Sequence, residues 1–346
     1  MPLLNPSQTE RMKFPTKLLA LALLLPLLPS CKKELNVNAD WKDITVVYGL
    51  LNQNDTAHYL RITKAFLGPG NALDFAKIPD SSYYHDSLAV RMEEWNGSTL
   101  LKTFLFRDTL LTDKEAGDSV FYFPEQIVYK TKGTLNVDNI YRIFIVNTNT
   151  GKEITAETEL VHPFTIERPL PPPAKATFHA GKTTQTIWYT AQNGRRYQLL
   201  IRFHYIEYQI ADTSQKEDKY VDWLIFSNIK SQNLDGGVKM EYPVSGDAFF
   251  IVLGGNIPVN PNVTRAARDA EYIFTVAADD LNTYMDVTEP SNSLIQERPP
   301  FTNIVNGIGL FSSRYNNRVD NSRVLQISDM TKAELKTNPN TMNLGF

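Results

Sequence analysis

The chain has 346 residues, of which 42% are hydrophobic and 21% are charged, a balance typical of a globular protein and not of a disordered one. Its formal net charge is -3 and no stripe of lysines and arginines is visible, so the composition argues against nucleic-acid binding. A single cysteine excludes an intramolecular disulfide, and stability must therefore come from the hydrophobic core.

The N-terminal segment has the pattern of an export signal. Lys13 and Lys17 precede an apolar run at 18–28 that consists almost entirely of leucine and alanine. A positive segment followed by such a run is typical of a signal peptide. The run is too short to cross a bilayer as a helix, which takes roughly 20 apolar residues. We therefore predict a signal peptide at 1–30, with Met12 as the true start.

The apolar run ends in Leu28-Pro29-Ser30-Cys31. This tetrapeptide resembles the lipobox of bacterial lipoproteins, with Pro29 departing from the small residue usual at its position. The resemblance implies cleavage before Cys31 and lipid attachment to that cysteine, which would hold the protein on a membrane. An ordinary signal peptide that happens to precede a cysteine is the alternative. The polar residues 31–42 are predicted to be a lipidated, flexible tether.

The next part of the chain alternates apolar and polar residues, as half-exposed strands do. Asn96-Gly97 is a hairpin-turn signal between two such runs. Short strands with turns between them predict an immunoglobulin-like antiparallel β-sandwich over 43–168. The predicted strands are 43–51, 57–66, 87–95, 99–106, 141–147 and 153–161.

A proline-rich segment at 169–173 divides the sequence. Prolines fix an extended backbone and donate no hydrogen bonds, so we predict a stiff linker between two domains, with a proline-rich edge inside one domain as the alternative. The second domain, 174–346, is predicted to be β-rich with short helices, one capped by Ser245 and one capped near Asp279 or Asp280. The fold class is therefore mainly β, with two antiparallel β-sandwich-like domains, the second with a few short helices. Its predicted strands are 184–190, 196–210 and 219–226, and its predicted helices are 245–254 and 277–285.

We find no complete motif for catalysis or metal binding in this sequence. None of the five histidines lies three or four residues from another, and HExxH and paired cysteines are absent from the sequence. Ser227-Asn228-Ile229-Lys230 matches the SxxK of penicillin-interacting enzymes, but the accompanying KTG and SDN are missing. We predict no catalytic residue, no metal site and no cofactor.

A short motif of Asp, then Ser or Thr, then an apolar residue occurs four times in the first half, where composition alone predicts about one match in the chain. It resembles the O-glycosylation signal of Bacteroidota, which makes its hydroxyl residues candidate glycosylation sites. The alternative is that Asp-Ser and Asp-Thr mark turns at strand ends. The candidates are Thr56, Ser87, Thr109 and Ser119.

The segment Asn303-Ile304-Val305-Asn306-Gly307-Ile308-Gly309-Leu310-Phe311, together with Val46-Val47-Tyr48-Gly49-Leu50 and the lipobox, is similar to a family of Bacteroidota lipoproteins catalogued as a domain of unknown function. The resemblance implies an outer-membrane lipoprotein, often encoded beside TonB-dependent receptors, and it assigns no catalytic residue. From the residues themselves, Gly307 and Gly309 suit a close backbone approach or a bulge, and we expect a packed structural hairpin here in preference to a ligand site.

Three classes of function follow as expectations. The first is a lipid-anchored outer-membrane binding or accessory protein, working with a TonB-dependent receptor in uptake. The alternatives are a structural or assembly lipoprotein of the envelope and a hydrolase with an unrecognised site. The predicted partners are the membrane, through lipid on Cys31, and the receptor, with no nucleic acid and an unknown ligand. Only one acid, Glu34, closely follows Cys31, so the periplasmic and surface faces of the outer membrane both stay open.

Overall fold

A computed structural model describes residues 44–65, 83–84, 86–112, 125–289, 300–317 and 323–346. All of these residues belong to one compact unit, Trp41–Phe346. Within the described ranges, no helix is long and apolar enough to cross a membrane.

In the first part of the chain, the elements that the structure describes are all strands. They are β1 (Thr45–Leu51), β2 (Ala57–Lys64), β3 (Leu88–Asn96), β4 (Thr99–Leu105), β5 (Arg107–Leu111), β6 (Gln126–Lys132), β7 (Ile140–Asn147), β8 (Glu153–Glu159) and β9 (Ile166–Arg168). The second part combines strands with three described helices. These elements are β10 (Thr183–Tyr189), β11 (Arg196–Gln209), β12 (Lys216–Lys230), β13 (Lys239–Ser245), α1 (Gly246–Asn256), β14 (Val263–Ala277), α2 (Asp279–Thr288), β15 (Ile308–Asn316), β16 (Arg323–Gln326) and α3 (Asp329–Leu335). The predicted mainly β, sandwich-like fold class with antiparallel sheets is confirmed.

The largest sheet has nine strands in the order β12-β11-β14-β15-β1-β2-β6-β5, with β16 paired beside β14. Its pairs are antiparallel except for β1 with β15, which run parallel. This sheet therefore contains strands from both sides of the proline-rich segment. Two smaller sheets, β4-β3-β7-β8 and β13-β10-β9, complete the strand layers that the structure describes. The division into two domains at 169–173 stays a prediction.

Two hydrophobic cores line one face of the nine-stranded sheet. The first includes Val47, Met92 and Ile143 and lies under the β4-β3-β7-β8 sheet. The second includes Trp188 and residues of β11, β14, α1 and α3. β15 contributes Phe311 to the first core and Tyr315 to the second, and residues four apart on a strand share a face. One face of the long sheet is therefore buried, and the opposite face points outward except where α2 packs on β15, as the buried Leu310 and Ser312 show.

Each predicted strand is found, but β5, β6, β9, β13, β14, β15 and β16 were not predicted. On β11 the alternate residues from Tyr197 to Tyr205 are all buried, with Tyr197 0% exposed and Tyr205 5% exposed. The hairpin signal Asn96-Gly97 connects β3 and β4, and Gly97 has a positive φ of 55°. The strand predicted at 219–226 is longer than expected, because β12 already begins at Lys216, ends at Lys230 and pairs with β11. Lys219 Nζ lies 2.6 Å from Glu207 Oε1 across this ladder.

The helix predictions hold in part. Ser245 caps α1 as predicted, accepting a hydrogen bond from Ala248 N at 3.3 Å. α2 begins at Asp279, but its N-cap is Ala278, and no side chain caps it. The aspartates are therefore first-turn residues, which complement the helix dipole without capping the helix. Residues 303–311 are not the expected hairpin, because β15 starts at Ile308 and pairs in parallel with β1.

The predicted close backbone approach is found at the β1–β15 contact. Gly309 has φ 120°, and a Cβ built on it would overlap the carbonyl oxygen of Val47. A side chain at this position would push the two strands apart. The parallel pairing in the middle of the nine-stranded sheet therefore depends on glycine here.

Candidate functional site

The predicted site residues are spread over the molecule. Cys31 and Ser119 lie outside the described residues. Thr56 is exposed in the turn before β2. Ser87 precedes β3, is half-buried and donates its hydroxyl hydrogen to the carbonyl of Tyr84. Thr109 is half-buried within β5. The alternative that these motifs mark turns at strand ends therefore suits Thr56 and Ser87 but not Thr109.

A different surface is formed by the outward face of β1, β2, β6 and β5. On β1, Tyr48 is 37% exposed and Leu50 is 36% exposed, whereas the alternate residues point into the first core. The strand register carries this face across the sheet. Tyr48 pairs with Arg61, Tyr59 pairs with Lys130, and Lys130 pairs with Arg107. We call the set Tyr48, Leu50, Tyr59, Arg61, Arg107 and Lys130 the tyrosine face.

One edge of the tyrosine face is bordered by helix α2. Tyr284 of α2 shares a hydrogen bond with Tyr48, with 3.2 Å between the hydroxyl oxygens, and the two rings meet edge to face at 6.0 Å. Burial raises the pKa of Tyr48 to about 12, and the hydrogen bond with Tyr284 adds to the rise. Both effects favour the neutral phenol. The helix therefore fixes the orientation of one exposed ring.

The tyrosine face carries uncompensated positive charge. Lys130 Nζ lies 5.1 Å from the centre of the Tyr59 ring, within cation–π range. Arg61 and Arg107 are exposed, and neither they nor Lys130 form an ion pair with any described residue. The surface thus combines apolar rings with cations that a partner could neutralise.

The outward face at the other end of the same sheet is different. There Arg202 donates two hydrogen bonds to Asp222, at 2.6 and 2.8 Å, and stacks 4.1 Å from the centre of the Tyr220 ring. His204 Nε2 lies 3.6 Å from a carboxylate oxygen of Glu271. The cation on this part of the sheet therefore already has a carboxylate partner within the chain. It provides an internal comparison for the tyrosine face.

The arrangement of polar residues offers little for catalysis. Across the described ranges, no group of three or more His, Cys, Asp or Glu side chains could hold a metal ion. Burial lowers the pKa of His58, whose Nε2 lies 2.8 Å from the carbonyl of Gly133. This histidine lines neither the cleft beside the proline-rich segment nor the cleft between β8, α2 and β15. Ser227 and Lys230 are both exposed on β12, on either side of an irregularity in its pairing with β11, and Lys230 Nζ donates a hydrogen bond to Asp286 Oδ2 at 2.6 Å.

A cleft of about 470 Å³ lies beside the proline-rich segment. Tyr272 is the one aromatic residue among its described lining, and it is only 7% exposed. The described lining of this cleft therefore offers no pair of aromatic rings between which a ligand could stack.

Comparison with known proteins gives no relative to guide the assignment. No protein-family model matches the chain, and no curated protein matches it significantly. The tyrosine face was not found from the sequence, although one signal was present: the alternation of β2 puts Tyr59 and Arg61 on the same face. The position of Arg61 opposite Tyr48 depends on the register between β1 and β2, the position of Tyr59 opposite Lys130 depends on the pairing of β2 with β6, and alternation specifies neither.

Proposed function

We propose that the protein is a lipid-anchored binding or accessory component of the outer membrane that works with a TonB-dependent receptor in uptake. The tyrosine face would be the surface that contacts the partner. The observation that carries this proposal is that exposed tyrosines lie together with cations that form no ion pair with a described residue, on the outward face of β1, β2, β6 and β5.

The residue types of the tyrosine face suit contact with another protein. Tyrosine and arginine are over-represented among the few side chains that supply most of the free energy of protein–protein binding. A tyrosine ring offers a large contact area at a low cost in rotamer entropy. The cations Arg61, Arg107 and Lys130 favour an acidic partner surface, because complementary charge accelerates association and excludes wrong partners.

The lipobox-like Leu28-Pro29-Ser30-Cys31 supports the anchored location. A tether of residues 31–42 would have a root-mean-square span of about 20 Å if it behaves as a flexible coil. The folded part would then stay close to the membrane that holds the receptor. Confinement of this kind raises the effective concentration of the two partners, so a modest interface suffices for a lasting complex.

The test is affinity purification of the full-length lipidated protein from its own host in a gentle detergent, followed by mass spectrometry. We compare the wild type with the double variant Tyr59→Ser/Arg61→Ser. Tyr220→Ser is the matched control, because Tyr220 is also an exposed strand tyrosine with a stacked cation. The wild type and the control should recover a TonB-dependent receptor in near-equal amount. The double variant should lose at least about 2 kcal/mol of binding free energy, or roughly a 30-fold decrease in affinity.

Two results would count against the proposal. If the wild type is recovered without a partner, the stable complex does not exist. If the double variant retains the receptor as well as the control does, the tyrosine face is not the contact surface. Recovery of an envelope assembly protein in place of the receptor would support the alternative of a structural or assembly lipoprotein.

A further inference from the structure

A second cleft, of about 270 Å³, lies where β8, α2 and β15 come together. Glu157 and Glu159 line it from β8, Asp279 and Asp280 line it from the first turn of α2, and Ser312 lines it from β15. It is separate from the tyrosine face, because none of the residues of that face lines it.

The charge of this cleft is only partly compensated. Arg142 Nε lies 3.0 Å from Glu157 Oε2, and Arg195 Nε lies 2.7 Å from Asp279 Oδ1. Asp280 instead accepts a hydrogen bond from the neutral amide of Asn303, at 2.7 Å.

Glu159 has no cationic partner among the described residues. Within the part of the chain that the structure describes, Glu159 and Asp280 therefore leave two negative charges without a matching cation. The N-terminus of α2 contributes about half a positive charge, which is too little to cancel them.

Two buried polar atoms near these carboxylates have no hydrogen-bond partner. Ser312 is 0% exposed and Asn282 is 6% exposed, yet Ser312 Oγ and Asn282 Oδ1 accept no hydrogen bond from any described group. Ser312 lines the cleft itself. Asn282 follows Asp279 by three residues on α2, so the two side chains lie on the same side of the helix. Buried polar groups without a partner are rare in native proteins and call for an explanation.

The carboxylates without a cation and the two buried atoms without a partner can all accept a hydrogen bond. A carboxylate and an amide oxygen only accept, and a serine hydroxyl accepts as well as donates. The matching ligand carries positive charge and several N–H donors. A bare metal ion fits less well, because the described residues contain no group of three acidic or histidine side chains placed to hold one.

We propose that the cleft between β8, α2 and β15 binds a small organic cation bearing an ammonium or guanidinium group, held by Glu159 and Asp280 with Ser312 Oγ as a further acceptor. The cavity volume limits the ligand to a small one, since pockets for drug-sized molecules begin at about 300 Å³. The inference goes beyond the proposed function and does not depend on the tyrosine face.

The experiment is isothermal titration of the full-length protein in detergent with agmatine, carried into the millimolar range. Glu159→Gln removes one charge at nearly constant shape, and Ser312→Ala removes the unpartnered hydroxyl. Glu153→Gln is the matched control, because Glu153 is exposed on the same strand and does not line the cleft. Thermal unfolding of each variant checks that it folds.

We expect saturable binding of one agmatine per chain, weakened about tenfold by Glu159→Gln and unchanged by Glu153→Gln. Ser312→Ala should weaken binding while leaving the melting temperature equal or higher, since no hydrogen bond within the protein is lost. The absence of saturation with agmatine, or equal affinity in the wild type and Glu159→Gln, would overturn the proposal. Binding of calcium chloride in place of agmatine would also overturn it and would assign the cleft to a metal ion.

Discussion

Replacing Gly309 with alanine tests the parallel contact between β1 and β15. Gly309 has φ 120°, a conformation that costs an alanine of the order of 1–3 kcal/mol. The new Cβ would also overlap the carbonyl oxygen of Val47, and forcing extra volume into a packed site costs a further 1–3 kcal/mol, again only as an order of magnitude. We therefore expect a loss of about 2–6 kcal/mol in the free energy of unfolding.

Two other glycines separate the causes. Gly97 has φ 55° but open space around its Cβ position, so Gly97→Ala should cost only about 1–2 kcal/mol of backbone strain. Gly255 lies in α1 with open space, and Gly255→Ala should stabilise the helix by roughly 0.5–1 kcal/mol.

The assay is urea and thermal unfolding followed by far-ultraviolet circular dichroism. With a proportionality of roughly 2–4 °C per kcal/mol, Gly309→Ala should lower the melting temperature by about 4–24 °C. If Gly309→Ala destabilises the protein no more than Gly97→Ala does, the close approach of β1 and β15 is refuted. The sheet would then not carry the tyrosine face beside α2 in the way described.

Three further predictions concern ionisation and modification. Burial raises the pKa of Glu207 most, but hydrogen bonds from its two basic partners outweigh burial and leave the pKa below its ordinary value. The lowered pKa therefore stabilises the fold above the unfolded pKa of about 4.3, and this stabilisation is lost as the pH falls. In urea unfolding at acid pH, the free energy of unfolding of Glu207→Gln should depend less steeply on pH than that of the wild type. An equally steep dependence in both proteins would contradict this prediction. Tyr284→Phe should bring the pKa of Tyr48 down from about 12, as followed by the ¹³Cζ shift of that tyrosine, and an unchanged shift curve would exclude the hydrogen bond as a cause. Thr56→Ala should reduce the intact mass of the protein from the native host by the mass of one glycan. A wild-type mass equal to that of the polypeptide and its lipid would show that none of the candidate residues is glycosylated.

The sequence predicts individual strands and helices better than it predicts which strands pair with each other. Alternation identifies β11 and its buried face, and Ser245 followed by an apolar run identifies α1, because both signals are local. The short helix α3 was missed, although Ser328 caps it by accepting a hydrogen bond from Thr331 N at 3.3 Å. A serine before a short helix is a weak signal, since the same residue is common in turns.

The neighbours of each strand could not be predicted from periodicity. β1 pairs with β15 more than 250 residues later, and alternation fixes which side chains share a face but not which strand lies alongside. For the same reason, Tyr48 and Arg61 could not be placed opposite each other in advance. The acidic cleft depends on three such distant segments, so its carboxylates looked unrelated in the sequence.

The most direct test of the account is photo-crosslinking in living cells of the native host. A photoreactive phenylalanine derivative replaces Tyr59 in one strain and Tyr220 in another, both on outward faces of the nine-stranded sheet. We expect a discrete crosslink to a TonB-dependent receptor from position 59 and none from position 220. Crosslinks of equal strength from both positions, or a receptor crosslink from position 220 alone, would contradict it.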